Sequence, residues 1–391
     1  MSDTFVVESL RTPFGSFGGA LSDVDAPHLG GTVMKALVER SGLDPAAVDE
    51  VIVGHVLGGG VGQAPARQAM RSAGLPDGTH ALTINKVCGS GLKAIMLGAG
   101  SIALGDSKIV IAGGMENMSL APFILKKARY GYRMGHGELL DLMIYDGLQD
   151  PFSGRHMGEI ADTSAARHGL SREAQDEYAI RSYQRSQKAV KEGIFKDEIV
   201  PVVKKTKKGE EVVAEDEEPF KVDFEKLKQL RPAFSKEGTV TAGNASSISD
   251  GAAITLLAGE TALKKHNLKP RARLVAYATH SLAPDLFPDA PVGAIEAACA
   301  RAGLKISEID LFEINEAFSA VAMIAIQELK LDPERVNVNG GAVSIGHPIG
   351  ASGGRLAATL IREMNRRQVR YGLATLCIGG GEAVAVIFER V

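Results

Sequence analysis

The sequence predicts an α/β fold built from two similar halves. Apolar segments rich in β-branched residues alternate with helical segments, as at residues 48–54 and 108–114. This alternation is typical of a sheet covered by helices on both faces. The same order of features returns near the C-terminus, because residues 41–54 and 302–315 each contain a Gly-Leu turn, a short helical stretch, an aspartate and a buried strand. A repeat of this kind indicates an internal duplication.

The elements of the first half follow one another from the N-terminus. We expect strands at residues 4–8, 48–54 and 108–114, an apolar segment at 82–84, and helices at 27–40, 64–73 and from residue 92. The second half repeats the later elements: a helix begins at 351–357 as one does at 89–94, and residues 373–380 correspond to 109–114. The second half therefore repeats the plan of the first.

Composition divides the chain into three parts. Residues 1–118 and 249–269 are expected to form the N-terminal half, and residues 270–391 the C-terminal half. Residues 119–248 are polar and irregular, with one clear helix at 172–192, and we interpret them as an insertion that covers the candidate active site. The charged residues 204–211 predict an exposed hairpin tip in preference to a docking site.

Charge and composition exclude several classes of protein. The formal net charge is −3, which argues against nucleic-acid binding. The 3 cysteines are far apart, which argues against a disulfide framework or a zinc site and fits a reducing compartment. No apolar run reaches the length needed to cross a membrane, and the N-terminus has no signal-peptide or transit pattern. We expect a cytoplasmic protein; the alternative is a mature organellar protein that has lost its targeting segment.

Cys88 is the first candidate catalytic residue. It lies between an apolar segment and a predicted helix, in the sequence Asn-Lys-Val-Cys-Gly-Ser-Gly-Leu at 85–92. At a helix N-terminus, free N–H groups and the helix dipole favour the thiolate, which is the reactive form of cysteine. The glycines at 89 and 91 allow a sharp turn and the close approach of another group. The alternative for this stretch alone is a small buried cysteine before a glycine-rich turn.

Three motifs in the second half carry residues suited to the same chemistry. They are Asn315 in Asn-Glu-Ala-Phe, His347 in Gly-His-Pro-Ile-Gly and Cys377 in Cys-Ile-Gly-Gly-Gly. A cysteine with a histidine is a nucleophile–base arrangement, a second cysteine can move a proton, and glycine N–H groups can hold an oxyanion. If the halves pair about a pseudo-twofold axis, Cys88 and His347 converge on one pocket. Taken singly, the alternatives are a helix-capping asparagine, a loop histidine and a core cysteine.

Other motifs are excluded by their context. Residues 350–354 formally match the G-x-S-x-G pattern of hydrolases, but Pro348 precedes them where a strand is required. The glycine-rich stretch at 58–62 does not fit a dinucleotide fingerprint, and the sequence has no P-loop lysine pattern.

Taken together, the motifs resemble those of the thiolase family, and the resemblance covers the whole chain. They lie at residues 11–15, 85–91, 113–119, 156–158, 241–246, 315–318, 346–350 and 377–381. The resemblance implies a five-layered α-β-α-β-α fold with an inserted loop domain, and a homo-oligomer that is a dimer or a tetramer. It also implies that coenzyme A (CoA) enters as a substrate under the loop domain, and that no cofactor is held permanently.

The resemblance also implies a role for each catalytic residue. Cys88 attacks an acyl-CoA thioester with the help of His347, and Cys377 protonates the leaving CoA and then removes a methyl proton from acetyl-CoA. His347 and a water held by Asn315 stabilise the enolate, and the N–H groups of Cys88 and Gly379 hold the tetrahedral oxyanion. The second cysteine favours this reaction over that of the related decarboxylating ketoacyl synthases, which place two histidines, or a histidine and an asparagine, beside their cysteine.

Further residues are assigned by the same resemblance to CoA and to potassium. The CoA contacts are His156, Met157, Lys221, Val222, Asp223, Lys226, Ala242, Ser246, Phe287, Ala317 and Phe318. The potassium positions are Tyr183, Ala242, Gly243, Ala245 and Val343, with Gly243 in place of an alanine of the short-chain type.

The expected activity is that of an acetyl-CoA C-acetyltransferase, which interconverts two acetyl-CoA with acetoacetyl-CoA and CoA. Residues 130–138, 221–226 and 287–288 resemble the short-chain, mitochondrial-type members of the family. The alternatives are a 3-ketoacyl-CoA thiolase of broader chain length and an inactive CoA-binding or lipid-carrying homologue.

Overall fold

The computed structural model describes residues 3–207 and 209–391; Met1, Ser2 and Lys208, the last within the predicted hairpin, lie outside the described residues. The strands are β1 Thr4–Arg11, β2 Gly15–Ser16, β3 Glu50–Gly54, β4 His80–Ile84, β5 Ile109–Asn117, β6 Phe123–Ile124, β7 Leu140–Asp141, β8 Val202–Thr206, β9 Gly209–Val213, β10 Ser249–Gly259, β11 Ala272–Ser281, β12 Leu311–Ile314, β13 Tyr371–Ile378 and β14 Glu382–Arg390. The helices are α1 Ala26–Ser41, α2 Pro65–Ser72, α3 Ser90–Leu104, α4 Met157–Arg167, α5 Arg172–Lys191, α6 Phe224–Leu227, α7 Glu260–His266, α8 Ala290–Ala302, α9 Ser319–Leu329, α10 Ala342–Ile345 and α11 Ser352–Arg367. The elements predicted for the two halves are present, with bounds shifted by a few residues.

One large sheet runs in the order β12-β13-β14-β11-β1-β10-β5-β3-β4, and β2 pairs with β10. Its two halves meet at a narrow seam, because β1 and β11 pair only over residues 4–6 and 272–274. Register shifts lie beside this seam, between Val6 and Glu8 and between Leu274 and Ala276. Such irregularities increase the local twist and allow the sheet to turn. The sheet therefore consists of two joined half-sheets.

The two half-sheets share one topology. β3 is parallel to β5 as β12 is parallel to β13, and in both halves the next two pairs of strands are antiparallel. Asp49 Oδ2 accepts hydrogen bonds from the two N–H groups around the start of β5, at 2.7 and 2.9 Å. Asp310 Oδ2 does the same at the start of β13, at 2.9 and 2.8 Å. The predicted duplication is confirmed.

Helices α3 and α11 lie side by side between the two half-sheets. α3 packs on β5, α11 packs on β10 and β13, and their apolar side chains share one buried cluster with residues of both half-sheets. α1 and α2 cover the outer face of the first half-sheet, and α8 with α9 covers that of the second. The layers therefore follow the order helix, sheet, helix, sheet, helix, as expected for the thiolase fold.

α3 belongs to an apolar stretch that is longer than expected from the sequence. Residues Val87–Leu104 form a stretch of 18 residues with a mean hydropathy of 1.5, which is long and apolar enough to cross a membrane by length and composition. This contradicts the expectation that no apolar run reaches that length. The stretch is 56% buried and packs between the half-sheets, so its burial in the core also explains its apolar composition.

Residues 119–248 contain more regular structure than their composition predicts. α4 and α6 accompany the predicted α5, so the expectation of a single clear helix is wrong. The buried face of α4 consists mostly of small residues, which is why composition does not reveal it. α4 and α5 both pack on α9 of the second half. Arg11 of β1 binds Glu198 and Asp216, each at 2.6 Å and all three buried, so the segment also contacts the first half.

Candidate active site

Cys88 lies in a tight turn between β4 and α3. The preceding Val87 has a φ of 46°, in the left-handed region that β-branched residues rarely adopt. Ser90 holds the turn, because its Oγ accepts from the N–H of Lys86 at 2.8 Å and donates to the carbonyl of Val87 at 2.7 Å. α3 begins at Ser90, so Cys88 lies where a helix starts, as predicted. Backbone strain of this kind clusters at functional sites.

The electrostatics of Cys88 differ from the expectation of a thiolate. Burial raises the pKa of the Cys88 thiol to about 11, and the charge of Glu116 acts in the same direction. The N–H groups of Gly379 and of Cys88 itself bond to the sulfur and lower this pKa, but they do not outweigh burial. The expected preference for the thiolate is therefore wrong for the free enzyme, because desolvation exceeds the stabilisation that a helix N-terminus supplies. Cys88 is a thiol until a base removes its proton.

His347 lies in the turn between α10 and α11. Its Nδ1 is 2.6 Å from Ser352 Oγ, and the Ser352 hydroxyl donates its single proton to the carbonyl of Pro348 at 2.9 Å. Nδ1 must then carry a proton, which leaves Nε2 as the unprotonated nitrogen. Burial, and then the charge of Arg355, lower the pKa of His347 to about 3. The ring is a neutral imidazole whose Nε2 can accept the proton of a thiol.

Cys377 and Gly379 approach Cys88 from the end of β13. Cys377 is buried, and burial followed by the nearby Cys88 raises the pKa of its thiol well above the usual value. The Gly379 N–H bonds to the Cys88 sulfur. Gly380 and Gly381 follow with φ values of 92° and 89°, conformations that glycine adopts without strain and that turn the chain into β14.

These residues share one mostly apolar cavity. Cys88, His347, Cys377 and Gly379 all line a space of about 380 Å³. Apolar walls of this kind exclude water and suit an acyl group. Eight further residues predicted to bind CoA or potassium also line it: His156, Met157, Ala242, Ala245, Ser246, Phe287, Ala317 and Phe318.

Asn315 lies against His347 but does not line the cavity. Its Nδ2 is 3.4 Å and 3.5 Å from the two ring nitrogens of His347. Its Oδ1 is buried and has no hydrogen-bond partner within the described parts of the chain. A buried acceptor without a partner is costly, and a bound water would satisfy it. The geometry is compatible with the predicted role of Asn315 in holding a water.

A row of rings forms one side of the cavity. His156 stacks on Phe234 with ring centroids 4.7 Å apart. Phe234 and Phe287 pack against Phe318 at 6.1 Å and 6.4 Å. His156 is fixed where α4 begins, because its Nδ1 accepts from the N–H of Gly158 at 3.0 Å. Burial lowers the pKa of His156, which favours the neutral ring. The cavity therefore has a flat, weakly polar side.

The four predicted CoA contacts in residues 221–226 lie outside this cavity. The Lys221 ammonium is 2.5 Å from Ser16 Oγ and is also close to two glutamates. Asp223 caps α6, and the exposed Lys226 pairs with it at 3.3 Å. Val222 packs with apolar residues of α5 and α6. The structure does not bring this segment to the reacting groups, and its contact with CoA stays a prediction.

The positions assigned to potassium lie around Leu227 and the cavity wall. Tyr183 and Val343 share a buried cluster with Leu227, and a Cβ at Gly243 would meet Leu227 Cγ at 2.7 Å. Packing therefore explains the glycine at 243. Burial raises the pKa of Tyr183, so its phenol stays neutral, and the donors would be this oxygen and main-chain carbonyls. Potassium binding stays a prediction.

Sequence reasoning missed three residues of the site. Ser352 orients the ring of His347, the carbonyl of Ser247 accepts a hydrogen bond from the backbone N–H of His347 at 3.1 Å, and Phe234 stacks on His156. Ser352 carried a signal, since it follows the histidine closely, at a predicted helix start. Phe234 carried none, because its partner rings are distant in sequence.

Comparison with known proteins identifies the family. Residues 4–261 match the family model of the thiolase N-terminal domain, and residues 268–390 match that of the thiolase C-terminal domain. A protein of Staphylococcus aureus strain COL named probable acetyl-CoA acyltransferase is 48% identical over 392 residues, and the protein of strain N315 with the same name is 47% identical, each match covering 100% of both chains. The crystal structure of the Bacillus anthracis acetyl-CoA acetyltransferase matches with a TM-score of 0.98 at 42% identity, covering 100% of this chain and 99% of that one.

The fold and these matches define an acyltransferase built from two duplicated halves. The chain belongs to the thiolase family.

Proposed function

We propose that this thiolase is an acetyl-CoA C-acetyltransferase, which condenses two acetyl-CoA to acetoacetyl-CoA and CoA and catalyses the reverse reaction. The observation that carries the proposal is that two thiols, Cys88 and Cys377, line one cavity with His347. One thiol serves as the nucleophile. The other supplies the base that is needed to remove a weakly acidic methyl proton.

In the first step Cys88 attacks the thioester carbonyl of acetyl-CoA. The pKa values of about 11 for Cys88 and about 3 for His347 make the resting pair neutral, so the proton moves to Nε2 as the sulfur–carbon bond forms. The N–H groups of Cys88 and Gly379 hold the developing oxyanion, a kind of contact worth roughly 3–4 kcal/mol in other enzymes. CoA leaves with a proton from Cys377, and the acetyl group stays on Cys88.

In the second step the Cys377 thiolate removes a methyl proton from a second acetyl-CoA. The protonated His347 and a water on Asn315 stabilise the enolate oxygen. The carbanion attacks acetyl-Cys88, and the Cys88 thiolate that leaves takes its proton back from His347. Cys377 has recovered its proton from the methyl group, so both thiols return to their resting state.

The packing of Phe287 in the cavity wall supports a substrate with a short acyl group. Phe287 is only 2% exposed, and it packs with Met157 and Cys377 in one buried cluster. Phe287 and Met157 are large side chains in the cavity wall, and they reduce the space for a longer acyl chain. On the thiolase resemblance we further propose a cytoplasmic homo-oligomer of two or four chains that takes acyl-CoA substrates.

The second candidate is a 3-ketoacyl-CoA thiolase of broader chain length. The staphylococcal relatives are named acyltransferases, whereas the Bacillus structure is named an acetyltransferase. A neighbouring cleft of about 610 Å³ shares Gly147, Met157 and Gly379 with the cavity. A longer acyl chain would find space there if Met157 moved aside.

Thiolysis rates separate the candidates. We expect the wild type to cleave acetoacetyl-CoA at least about tenfold faster than 3-ketooctanoyl-CoA with saturating CoA, and Cys88→Ala to cleave neither. Comparable wild-type rates on both substrates would select the broader thiolase. Activity that survives in Cys88→Ala would contradict the mechanism for both.

A further inference from the structure

Glu116 lies beside the active site and takes no part in the steps above. It is in β5 and is completely buried. Its carboxylate accepts hydrogen bonds from the N–H groups of Val56 at 3.1 Å, Leu57 at 3.0 Å and Gly350 at 2.9 Å. Val56 and Leu57 follow β3 in the first half, whereas Gly350 ends the turn that begins with His347 in the second half. One carboxylate therefore joins the two halves next to the catalytic histidine.

The turn that carries the histidine is closely packed at Gly350. A Cβ at Gly350 would meet Glu116 Oε2 at 2.6 Å. The Gly350 carbonyl itself lies against Gly91 and Gly114 of the first half, where an added Cβ would overlap it. Gly350 thus donates its hydrogen bond to Glu116 at the point where the backbone of the His347 turn contacts the backbone of the first half. A small change in this bond would displace the turn.

Cys88 packs in one apolar cluster with Val56 and Leu57, whose N–H groups bind the Glu116 carboxylate. The charge of Glu116 therefore lies near Cys88, and it raises the pKa of the thiol. The other titratable groups that face Glu116 are His55, with Nε2 at 3.3 Å, and Asp250 on β10. Burial lowers the pKa of His55 to about 4, so this ring is neutral and does not offset the carboxylate. Burial raises the pKa of Glu116 to about 7, against the effect of its three N–H donors.

We propose that Glu116 is a positioning residue with two effects: its carboxylate holds the His347 turn against the first half, and it places a negative charge close to Cys88. The first effect, measured as turnover, rests on the proposed function. The second does not. A glutamine at this position has one oxygen for three N–H donors and presents an NH₂ group to at least one of them. It also removes the charge.

The test compares Glu116→Gln with the wild type in two assays. We expect acetoacetyl-CoA thiolysis to fall at least about tenfold, and we expect the pH profile of Cys88 alkylation by iodoacetamide to move to lower pH because the nearby charge is gone. A purely structural role would lower turnover without that shift. Glu363→Gln is the matched control, since Glu363 is also a buried carboxylate but bonds to Asn339, Arg366 and Arg367 outside the cavity. It should leave the alkylation profile unchanged.

Glu116→Asp separates the two effects, and it is the variant to measure if Glu116→Gln does not fold. It keeps the charge but shortens the side chain, so we expect reduced turnover with the wild-type alkylation profile. The proposal is wrong if Glu116→Gln keeps turnover within about twofold of the wild type, if its alkylation profile does not move to lower pH, or if Glu116→Asp keeps full turnover. A wild type that fails to cleave acetoacetyl-CoA would contradict the proposed function, and the alkylation profiles would still test the charge effect.

Discussion

The candidate catalytic residues are held in their neutral forms. Burial is the largest cause in each case: it raises the pKa values of Cys88 and Cys377 and lowers that of His347. The free enzyme therefore holds a neutral thiol and a neutral imidazole, and in the proposed mechanism each proton moves only when charge develops on the substrate. Ser352 matters for the same reason, because it fixes which nitrogen of His347 is free to receive the proton.

Replacement of Cys377 by serine tests its role as the base. A hydroxyl is a much weaker acid than a thiol, so the variant cannot form the anion that removes a methyl proton. For Cys377→Ser we expect the exchange of acetyl-CoA methyl protons with deuterated water to fall at least about a hundredfold. Intact-mass spectrometry should still detect acetyl-Cys88, formed more slowly because serine donates a proton to the leaving CoA less readily than cysteine does.

Cys299→Ser is the control for this change, since Cys299 is buried in α8, in an apolar cluster away from the cavity. It should keep the wild-type exchange rate. Exchange at the wild-type rate in Cys377→Ser would remove Cys377 from the mechanism.

Among the secondary-structure elements, the first turns of α3 and α11 determine the geometry of the site. Cys88 precedes one helix and His347 the other, and the two helices touch where they begin. Glycines make this contact possible: a Cβ at Gly91 would meet the Gly350 carbonyl at 2.9 Å, and a Cβ at Gly353 would overlap the backbone nitrogen of Leu92. The distance between Cys88 and His347 therefore depends on the absence of side chains at the crossing.

A methyl group at this crossing should push the helices apart. For Gly353→Ala we expect a loss of about 1–3 kcal/mol in the free energy of unfolding, typical of overpacking, and reduced thiolysis. Urea denaturation measures the first and the acetoacetyl-CoA assay the second.

Gly100→Ala in α3 is the matched control. Its Cβ would have only the Tyr277 hydroxyl nearby, at 3.7 Å, so the variant should be as stable as the wild type or more stable by about 0.5–1 kcal/mol. Equal stability of the two variants would contradict the close crossing.

Over the whole molecule, the buried interior contains carboxylates that are costly to ionise. The pKa of Glu116 is raised to about 7, and that of Glu313 to about 8 although Arg355 lies 2.8 Å away. Burial is the largest cause for both. A carboxyl with a raised pKa in the folded state contributes its full stabilisation below its ordinary pKa, and this contribution is lost as the pH rises to the folded-state value.

Glu116→Gln should remove this pH dependence at one site. The free energy of unfolding of the wild type minus that of the variant should decrease as the pH rises from the ordinary value of 4.5 to about 7, and then level off. Urea denaturation of both proteins at constant ionic strength gives the two free energies of unfolding. Their subtraction cancels the contributions of the other titrating groups. A difference that does not change with pH would show that folding leaves the pKa of Glu116 at its ordinary value.

The sequence predicted the features that local patterns carry. The repeat of Gly-Leu turn, aspartate and strand predicted the duplication, and the motifs around Cys88, His347 and Cys377 predicted one shared cavity. Properties set by distant parts of the chain were not predictable. The pKa of Cys88 depends on burial under other elements, α4 lacks a large apolar face, and Phe234 meets its partner rings only in the folded chain.

The division of the site between the halves bears on its origin. The first half supplies Cys88, and the second supplies His347 and Cys377, so neither half contains a complete set of reacting groups. A single half could complete such a site only by meeting a second copy of itself. Because both halves lie in one chain, the two parts of the site always occur together and can differ in sequence. Asp49 and Asp310 make the same hydrogen bonds in the two halves, whereas Cys88 and His347 are different residues that precede equivalent helices.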